Sequence, residues 1–366
     1  MKIGILTLPL HTNYGGILQA YALQTVLERM GHEVCLIEKR MFVLPLWKMP
    51  LVYGKRILLN LTGHPFPVFY EQKRRKEEVV IRQNTNKFID KYIKRRIVEE
   101  FSEIREGDYD AIVVGSDQIW RPKYFHCIEH AYLDFAKKWN MKRISYAASF
   151  GTDQWEYTRK QTRRCGELLK YFEAVSVREA SGVDLCRNYF GVEAKHVLDP
   201  TMLLTKEDYI RLFEDTKTPE SKGTLLNYIL DETPEKATLI DKVAKEMHLV
   251  PFRVNSRAED PAAPLSERIQ PSVEQWLRGF YDAEFVVTDS FHACVFSILF
   301  NKPFVAIGNS DRGMSRFTSL LSMFGLKNAL LSKVNASHIH IDYDVVNEKL
   351  NRMREKSMYF LNENIK

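Results

Sequence analysis

Short apolar, β-branched runs that alternate with helical patterns constrain the fold of this chain more than any other feature. Strands of this kind are buried on both faces, and with helices between them they are typical of βα units in a parallel sheet. In the first half of the chain we predict strands at 2–8, 33–38, 110–115, 143–148 and 174–177, and helices at 17–30, 156–172 and 179–189. Gly31 follows the first helix, where a glycine favours the left-handed conformation that ends helices.

The same alternation repeats in the second half. We predict strands at 223–230, 249–254, 284–288 and 303–307, helices at 205–214, 234–247, 272–282, 290–300 and 314–324, and a last charged helix at 345–362. Because 366 residues exceed the size of one core, we predict two doubly wound α/β domains, 1–199 and 200–344, with 345–366 packing back on the first. Ligands of open parallel sheets bind at the carboxyl ends of the strands, so we expect the site in the cleft between the domains.

Residues 40–105 are longer than the single helix that a βα unit needs, and we predict an inserted segment there. Its part 41–70 is apolar, aromatic and broken by prolines, and a basic run follows at 73–96. A segment of this composition, 41–96, could rest on an anionic membrane surface. The alternative is a helical subdomain with a small core of its own and a solvated face.

Composition and missing motifs narrow the class of protein. The net charge of +6 comes largely from the 73–96 run, and no nucleic-acid-binding module accompanies it, so we expect no nucleic-acid partner. The five cysteines are widely spaced without a CxxC pair, which indicates reduced thiols in the cytoplasm and no metal site. No apolar run reaches the roughly 18 residues of a transmembrane helix. The P-loop, HExxH and GxSxG motifs are missing, which argues against an NTPase, a zinc peptidase or an α/β-hydrolase.

The strand-to-helix turn at 288–292 is the strongest candidate site. An apolar strand ends at Thr288, and Asp289 and Ser290 are residue types favoured at helix N-termini. Free backbone amides and the helix dipole bind phosphate or carboxylate at such a turn. His292 could bind the same anion or transfer protons near neutral pH. The alternative is that Asp289 and Ser290 only cap the helix and that His292 is structural.

Arginines follow two other predicted strands. Arg178 follows the strand at 174–177, and Arg312 and Arg316 lie at the start of the helix at 314–324. Guanidinium groups in these places could hold an anion in bidentate fashion. The alternatives are an ion pair of Arg178 with Glu179 or a nearby carboxylate, and solvated surface charges for Arg312 and Arg316.

The turn after the strand at 110–115 carries polar groups suited to a sugar. Ser116, Asp117 and Gln118 could hydrogen-bond hydroxyls, and Trp120 could stack on a sugar ring. A structural turn with a tryptophan in the core is the alternative. The turn at 12–16 is rich in glycine but lacks the GxGxxG spacing of dinucleotide sites.

In their order along the chain, five motifs resemble the polysaccharide pyruvyl transferase family over roughly residues 1–330. They are Asn13-Tyr14-Gly15-Gly16, Gly115-Ser116-Asp117, Ser176-Val177-Arg178-Glu179, Asp199-Pro200-Thr201 and Asp289-Ser290-Phe291-His292. The resemblance implies two Rossmann-like domains facing one cleft, the GT-B-like arrangement of glycosyltransferases. It also implies phosphoenolpyruvate as donor substrate, no cofactor, and a pyruvate ketal formed on two hydroxyls of a sugar in surface-polysaccharide biosynthesis.

The resemblance places Arg178 and His292 at the donor site, and we assign His292 as the acid/base because ketal formation needs proton transfer. From the residue patterns and the resemblance together, the predicted donor-binding residues are Arg178, Asp289, Ser290, Phe291, His292, Arg312 and Arg316, and the predicted acceptor-binding residues are Asn13, Tyr14, Gly15, Gly16, Ser116, Asp117, Gln118 and Trp120. Many relatives carry arginine where this chain has Ser290, so either the charge comes from elsewhere, with Arg312 and Arg316 as candidates, or the donor differs. Acceptors in such pathways are commonly lipid-linked, which would place a cytoplasmic protein peripherally on the inner face of the membrane.

Two other functions stay open from the sequence. One is a GT-B glycosyltransferase that uses a nucleotide sugar, although no nucleobase pocket or ribose-binding carboxylate is evident. The other is a family member without catalysis that acts as a binding subunit, for which Ser290 is the main support.

Overall fold

The first of two parallel sheets lies in the N-terminal part of the chain. A computed structural model describes residues 1–40, 49–62, 70–308, 313–331 and 339–366. The seven strands have the order β3-β2-β1-β4-β5-β6-β7, with all neighbours parallel. Their bounds are β1 Lys2–Leu6, β2 Glu33–Lys39, β3 Arg95–Val98, β4 Ala111–Val114, β5 Lys142–Ala148, β6 Ala174–Val177 and β7 Lys195–His196.

Helices cover both faces of this sheet, which is why its strands are continuously apolar. They are α1 Tyr14–Arg29, α5 Arg159–Leu169 and α6 Ala180–Leu185, the last continued by a π-helical turn to Phe190. All four residues of β4 are buried. Gly31 has φ of 87° directly after the C-cap of α1, so the prediction of a left-handed glycine there is confirmed.

The inserted segment forms helices α2 Met49–Leu61, α3 Tyr70–Ile81 and α4 Gln83–Tyr92 before β3. The basic run is therefore divided between two helices and an edge strand. Its Arg95 pairs with Glu38 and Asp90, so that charge is neutralised on the edge of the sheet. Residues 41–48 and 63–69 lie outside the described part of the chain, and contact of 41–96 with a membrane stays a prediction.

Phe88 and Ile89 of α4 are buried in the same core as α1, so this described helix of the insertion packs into the main core. Within the described residues no helix has the length and apolar character needed to cross a membrane.

The second sheet has five parallel strands in the order β12-β11-β10-β8-β9. They are β8 Leu225–Tyr228, β9 Pro251–Phe252, β10 Phe285–Thr288, β11 Phe304–Ile307 and β12 Leu330–Leu331. The helices around it are α7 Lys206–Asp215, α8 Pro234–Met247, α9 Leu265–Arg268, α10 Val273–Asp282, α11 Phe291–Leu299 and α12 Met314–Phe324. The short helix α9 lies between the predicted strand at 249–254 and the predicted helix at 272–282, where no helix was predicted.

The two domains are joined by packing as well as by the chain. The ring of Tyr14, at the start of α1, stacks on Trp276 of α10 with centroids 5.4 Å apart, and its hydroxyl donates to the Pro271 carbonyl. The last helix, α13 Tyr343–Asn364, begins on the second domain and crosses to the first, where Ser357 accepts a hydrogen bond from the Leu198 amide.

Turns that follow strands of both sheets line a common cavity, so the carboxyl ends of the sheets meet at one cleft. The predicted fold class, two Rossmann-like domains in a GT-B-like arrangement, is confirmed.

Candidate functional site

A cavity of about 70 Å³ lies where the turns after β1, β4, β8 and β10 converge. Residues far apart in sequence meet there because parallel strands present their carboxyl ends at one edge. It is lined by Asn13, Asp117, Gln118, Tyr124, Leu230, Asp289, Ser290, Phe291, His292 and Arg316. The structure thus brings together predicted residues from both domains.

His292 lies in the first turn of α11 and is 6% exposed. Its ring rests against Gly15 of α1, where an added methyl group would come within 2.0 Å of His292 Nδ1. Only glycine leaves room for this approach. The second domain's histidine is therefore placed by the first helix of the other domain.

Asp289 has a different role from the predicted helix cap. Its carboxylate accepts the backbone amides of Leu230 and Asp231, and Lys236 Nζ lies 2.7 Å from it. These bonds tie the turn after β8 to the turn after β10. Ser290 is the N-cap residue of α11, but its side chain accepts no capping hydrogen bond within the described residues. The backbone amides in the first turn of α11 are therefore available to bind a ligand in the cavity.

Arg178 is enclosed between two carboxylates. Its Nη1 lies 2.7 Å from Asp199 Oδ2 and its Nη2 lies 3.4 Å from Asp117 Oδ1. Its guanidinium carbon stands 4.5 Å from the centre of the Phe291 ring, within cation–π range. In the structure Arg178 therefore forms ion pairs with nearby carboxylates, which is one of the alternatives considered from the sequence.

Glu179 is not that carboxylate. Its Oε1 accepts the amides of Phe150 and Gly151 and the Ser149 hydroxyl. Glu179 therefore fixes the turn after β5 and does not form the ion pair with Arg178.

Asp199 links the two predicted key residues and had no role assigned from the sequence. One oxygen accepts from the Thr201 amide and hydroxyl, and the other, Oδ2, contacts Arg178 and lies 3.7 Å from His292 Nε2. Burial acts to raise the pKa of Asp199, but the His292 ring and the Arg178 charge outweigh it and hold that pKa well below its usual range. A buried carboxylate beside an imidazole helps to orient the ring. In the sequence it stood out only as part of the Asp199-Pro200-Thr201 motif, which carried no assigned role.

Arg316 of α12 lines the cavity, whereas Arg178 is not among the lining residues. Its guanidinium carbon is 5.7 Å from the centre of the Phe291 ring. Burial lowers the pKa of Arg316 to about 10, with the Arg178 charge acting in the same direction and Asp117 partly offsetting it. It therefore remains charged at neutral pH. Arg312, the other candidate for this charge, lies outside the described residues.

Three predicted acceptor residues are closed off from the cavity. Trp120 is fully buried, donates its indole N–H to the Ala131 carbonyl and stacks on Tyr132, so it is a core residue and the predicted sugar-stacking role is wrong. Ser116 is also fully buried, with its hydroxyl bonded to Gln19. Tyr14 is fully buried in the contact between the domains.

Other predicted acceptor residues lie at or beside the cavity. Asn13, Asp117 and Gln118 line it, and a methyl group at Gly16 would come within 3.7 Å of Asp117 Oδ2. Gln118 Oε1 accepts a hydrogen bond from Arg121.

A larger groove adjoins this cavity. It has a volume of about 680 Å³ and shares Asn13 and Leu230 with the cavity. We name it the outer groove; it is lined by Thr12, Asn13, Tyr228, Ile229, Leu230, Glu232, Arg253, Asn255, Ser256, Arg257, Ala258, Glu259, Asp260 and Gln270. Nothing in the sequence pointed to this groove, because its lining comes mostly from the irregular stretch 253–260.

Solved structures resemble the chain over nearly its whole length at low identity. An α-glucosyltransferase in complex with UDP and a 13-mer DNA is 10% identical, with 100% of this chain and 96% of that chain covered and a TM-score of 0.47. The UDP-GlcNAc 2-epimerase of Methanocaldococcus jannaschii is 13% identical, with coverage of 97% and 93% and a TM-score of 0.47. The UDP-GlcNAc 2-epimerase of Neisseria meningitidis bound to UDP-GlcNAc is 9% identical, with coverage of 98% and 93% and a TM-score of 0.46.

No curated protein sequence matches the chain. The family model described as polysaccharide pyruvyl transferase matches residues 13–311, a span that includes Asn13, Arg178, Asp199 and His292. The match covers well over half of the sequence and contains most of the charged residues at the cleft. The chain therefore belongs to the polysaccharide pyruvyl transferase family.

Proposed function

We propose that the protein transfers the enolpyruvyl group of phosphoenolpyruvate onto two hydroxyls of a sugar, forming a pyruvate ketal during surface-polysaccharide biosynthesis. The observation that carries this proposal is the position of His292. It lies on the cavity wall with Nε2 3.7 Å from the Asp199 carboxylate, and Arg316 lines the same cavity. Family membership supports the same reaction class.

The donor carries a phosphate and a carboxylate, and the cavity offers groups for both. Arg316 lines it, and the first-turn amides of α11 open onto it. Arg178 Nε has no hydrogen-bond acceptor among the described residues, and its contact to Asp117 is long at 3.4 Å. Arg178 is buried and does not line the cavity, so an anion would engage it only after the long contact to Asp117 opens, and its short bond to Asp199 could then remain.

Ketal formation needs a proton donor and a proton acceptor in sequence. Protonated His292 would deliver a proton to the methylene carbon while the first sugar hydroxyl forms a bond to the neighbouring carbon, and the proton of that hydroxyl would then return to His292 and restore its protonated form. The second hydroxyl then adds as the bond from that carbon to the phosphate oxygen breaks, and its proton leaves with the phosphate. Asp199 would hold the ring in place and stabilise its charge through both steps.

The test combines donor binding with turnover. We expect phosphoenolpyruvate to raise the thermal unfolding temperature, and phosphate to be released only when a saccharide acceptor is added. Capsule-type and lipid-linked saccharides are the acceptors to be screened. His292→Ala should abolish phosphate release, and Arg178→Ala should weaken the thermal stabilisation.

Two outcomes would contradict the proposal. Stabilisation by UDP-sugars with none by phosphoenolpyruvate would favour a nucleotide-sugar glycosyltransferase. Binding of saccharide without donor binding would favour a non-catalytic subunit.

A further inference from the structure

The outer groove leads from solvent to the candidate catalytic cavity. Its volume of about 680 Å³ falls within the roughly 300–1,000 Å³ that pockets for organic ligands occupy. Asn13 and Leu230 line both spaces, so a ligand that fills the groove can extend one end to the cavity that contains His292.

The charges of the groove do not suit a phosphorylated ligand. Its two arginines are already ion-paired, Arg253 with Glu232 and Arg257 with Asp260. Glu259 adds a further carboxylate to the lining. A diphosphate is normally held by arginines or by free helix amides, and here the acidic side chains outnumber the basic ones.

The remaining polar groups suit sugar hydroxyls. Asn255 donates its Nδ2 to the Ile229 carbonyl, while its buried Oδ1 receives no hydrogen bond from any described residue. Thr12 and Asn13 add a hydroxyl and an amide from the first domain, and the Thr12 hydroxyl donates to Glu259. Side-chain amides donate to and accept from uncharged hydroxyls, and carboxylates accept from them.

The wall of the groove is held in place by the inserted helices. Arg268 pairs with Glu77 of α3 at 2.8 Å, and the Gln270 amide donates to the Ile81 carbonyl. The Gln270 side chain in turn donates to the Thr12 carbonyl of the first domain. These contacts restrain the wall of the groove, and a restrained wall loses less conformational entropy when a ligand binds.

We propose that the outer groove binds the uncharged sugar units of the acceptor and presents their hydroxyl pair to His292 past Asn13 and Leu230. The identification of this saccharide as an acceptor rests on the proposed pyruvyl transfer. The proposal moves the acceptor site away from the turn at Ser116 and Trp120, where the sequence alone suggested it, to the stretch 253–260 of the second domain.

The experiment obstructs the groove and leaves the catalytic cavity intact. Ala258 lines the groove, while Ala262 is exposed on the same loop and does not line it, so Ala258→Phe and Ala262→Phe form a matched pair. Binding of the full-length protein to an array of bacterial surface glycans is measured by fluorescence. Binding of UDP is followed by saturation-transfer NMR, and binding of phosphoenolpyruvate by thermal shift.

We expect the parent protein to bind at least one glycan, Ala258→Phe to weaken that binding by about tenfold or more through steric exclusion, and Ala262→Phe to leave it unchanged. In a second variant, Glu259→Gln, the exposed side chain keeps its shape and loses its charge. This variant should weaken glycan binding about threefold, because a charged hydrogen-bond acceptor is lost. All three variants should keep the thermal shift with phosphoenolpyruvate.

The groove assignment is overturned if no glycan binds, if Ala258→Phe and Glu259→Gln bind glycans as the parent does, or if Ala258→Phe removes UDP binding instead. A glycan effect without any phosphoenolpyruvate shift would leave the groove as a saccharide site and refute the proposed reaction. A phosphoenolpyruvate shift without a glycan effect would support donor binding and refute the assignment of the groove as a saccharide site.

Discussion

The imidazole of His292 lies directly over Gly15, so closely that one added methyl group would come within 2.0 Å of its Nδ1 atom. Two residues that are 277 positions apart in sequence (292 minus 15) thereby set the geometry of the cleft. The first helix of one domain determines where the candidate acid/base of the other domain stands.

Gly15→Ala should therefore displace the His292 ring and lower pyruvyl transfer on the order of 100-fold, since small misplacements of a reacting group have effects of that size. The matched control is Gly16→Ala, because the nearest atom to a methyl group there is 3.6 Å away. Phosphate release at saturating substrates measures the effect. Equal loss in both variants, or in neither, would contradict the role of this contact.

Asp199→Asn should destabilise the fold at neutral pH by roughly 3–5 kcal/mol, because it leaves the buried Arg178 charge without its closest partner. Denaturant unfolding at pH 7 measures the free energy of unfolding. Glu193→Gln is the control, since Glu193 is an exposed carboxylate paired with Arg187 on the surface.

The contribution of Asp199 should also depend on pH in one direction. Its pKa is lower in the folded chain than in the unfolded chain, where it is about 3.9. The stabilisation is then complete above about pH 4 and is lost as pH falls through the lower folded-state pKa. In Asp199→Asn the free energy of unfolding should fall less steeply below about pH 4 than in the parent. Parallel curves would contradict the assignment.

Arg316→Gln should weaken binding of phosphoenolpyruvate by about tenfold or more, since it removes a charged donor from the cavity wall. Arg211→Gln, on the exposed face of α7, serves as the control. Titration calorimetry gives the Kd. Unchanged affinity in Arg316→Gln would show that Arg316 does not bind the donor.

Trp120→Phe should reduce stability by about 1–3 kcal/mol, because it removes the bond to the Ala131 carbonyl and leaves unfilled volume in the core. The KM for the saccharide acceptor should stay the same. A rise in that KM without loss of stability would restore the sugar-stacking role.

Sequence patterns predicted the bounds of several strands and helices accurately. The strand at 174–177 and the helices at 234–247 and 314–324 agree with the structure to the residue. The strand β3 was not predicted, because it is an edge strand whose residues Arg95 and Arg96 are charged and resemble the basic helices before it.

The sequence predicted several of the residues that lie at the candidate site, but it did not predict which of their side chains contact one another. That Arg178 and His292 follow buried strands is visible from local sequence. That Asp199 would contact both, or that Asp289 would be bonded to Lys236, depends on which chain segments meet, and no local pattern carries that information. Trp120 shows the same limit, since an aromatic residue after a strand is compatible with a ligand site and with a core.

The stacking of Tyr14 on Trp276 has a consequence for how the protein can move. Tyr14, the first residue of α1, is embedded in the other domain, and its hydroxyl donates to the Pro271 carbonyl. These contacts connect the two domains at this point. Wide hinge opening would have to extract an aromatic ring from a packed core. We therefore expect substrates to reach His292 without a wide separation of the two domains.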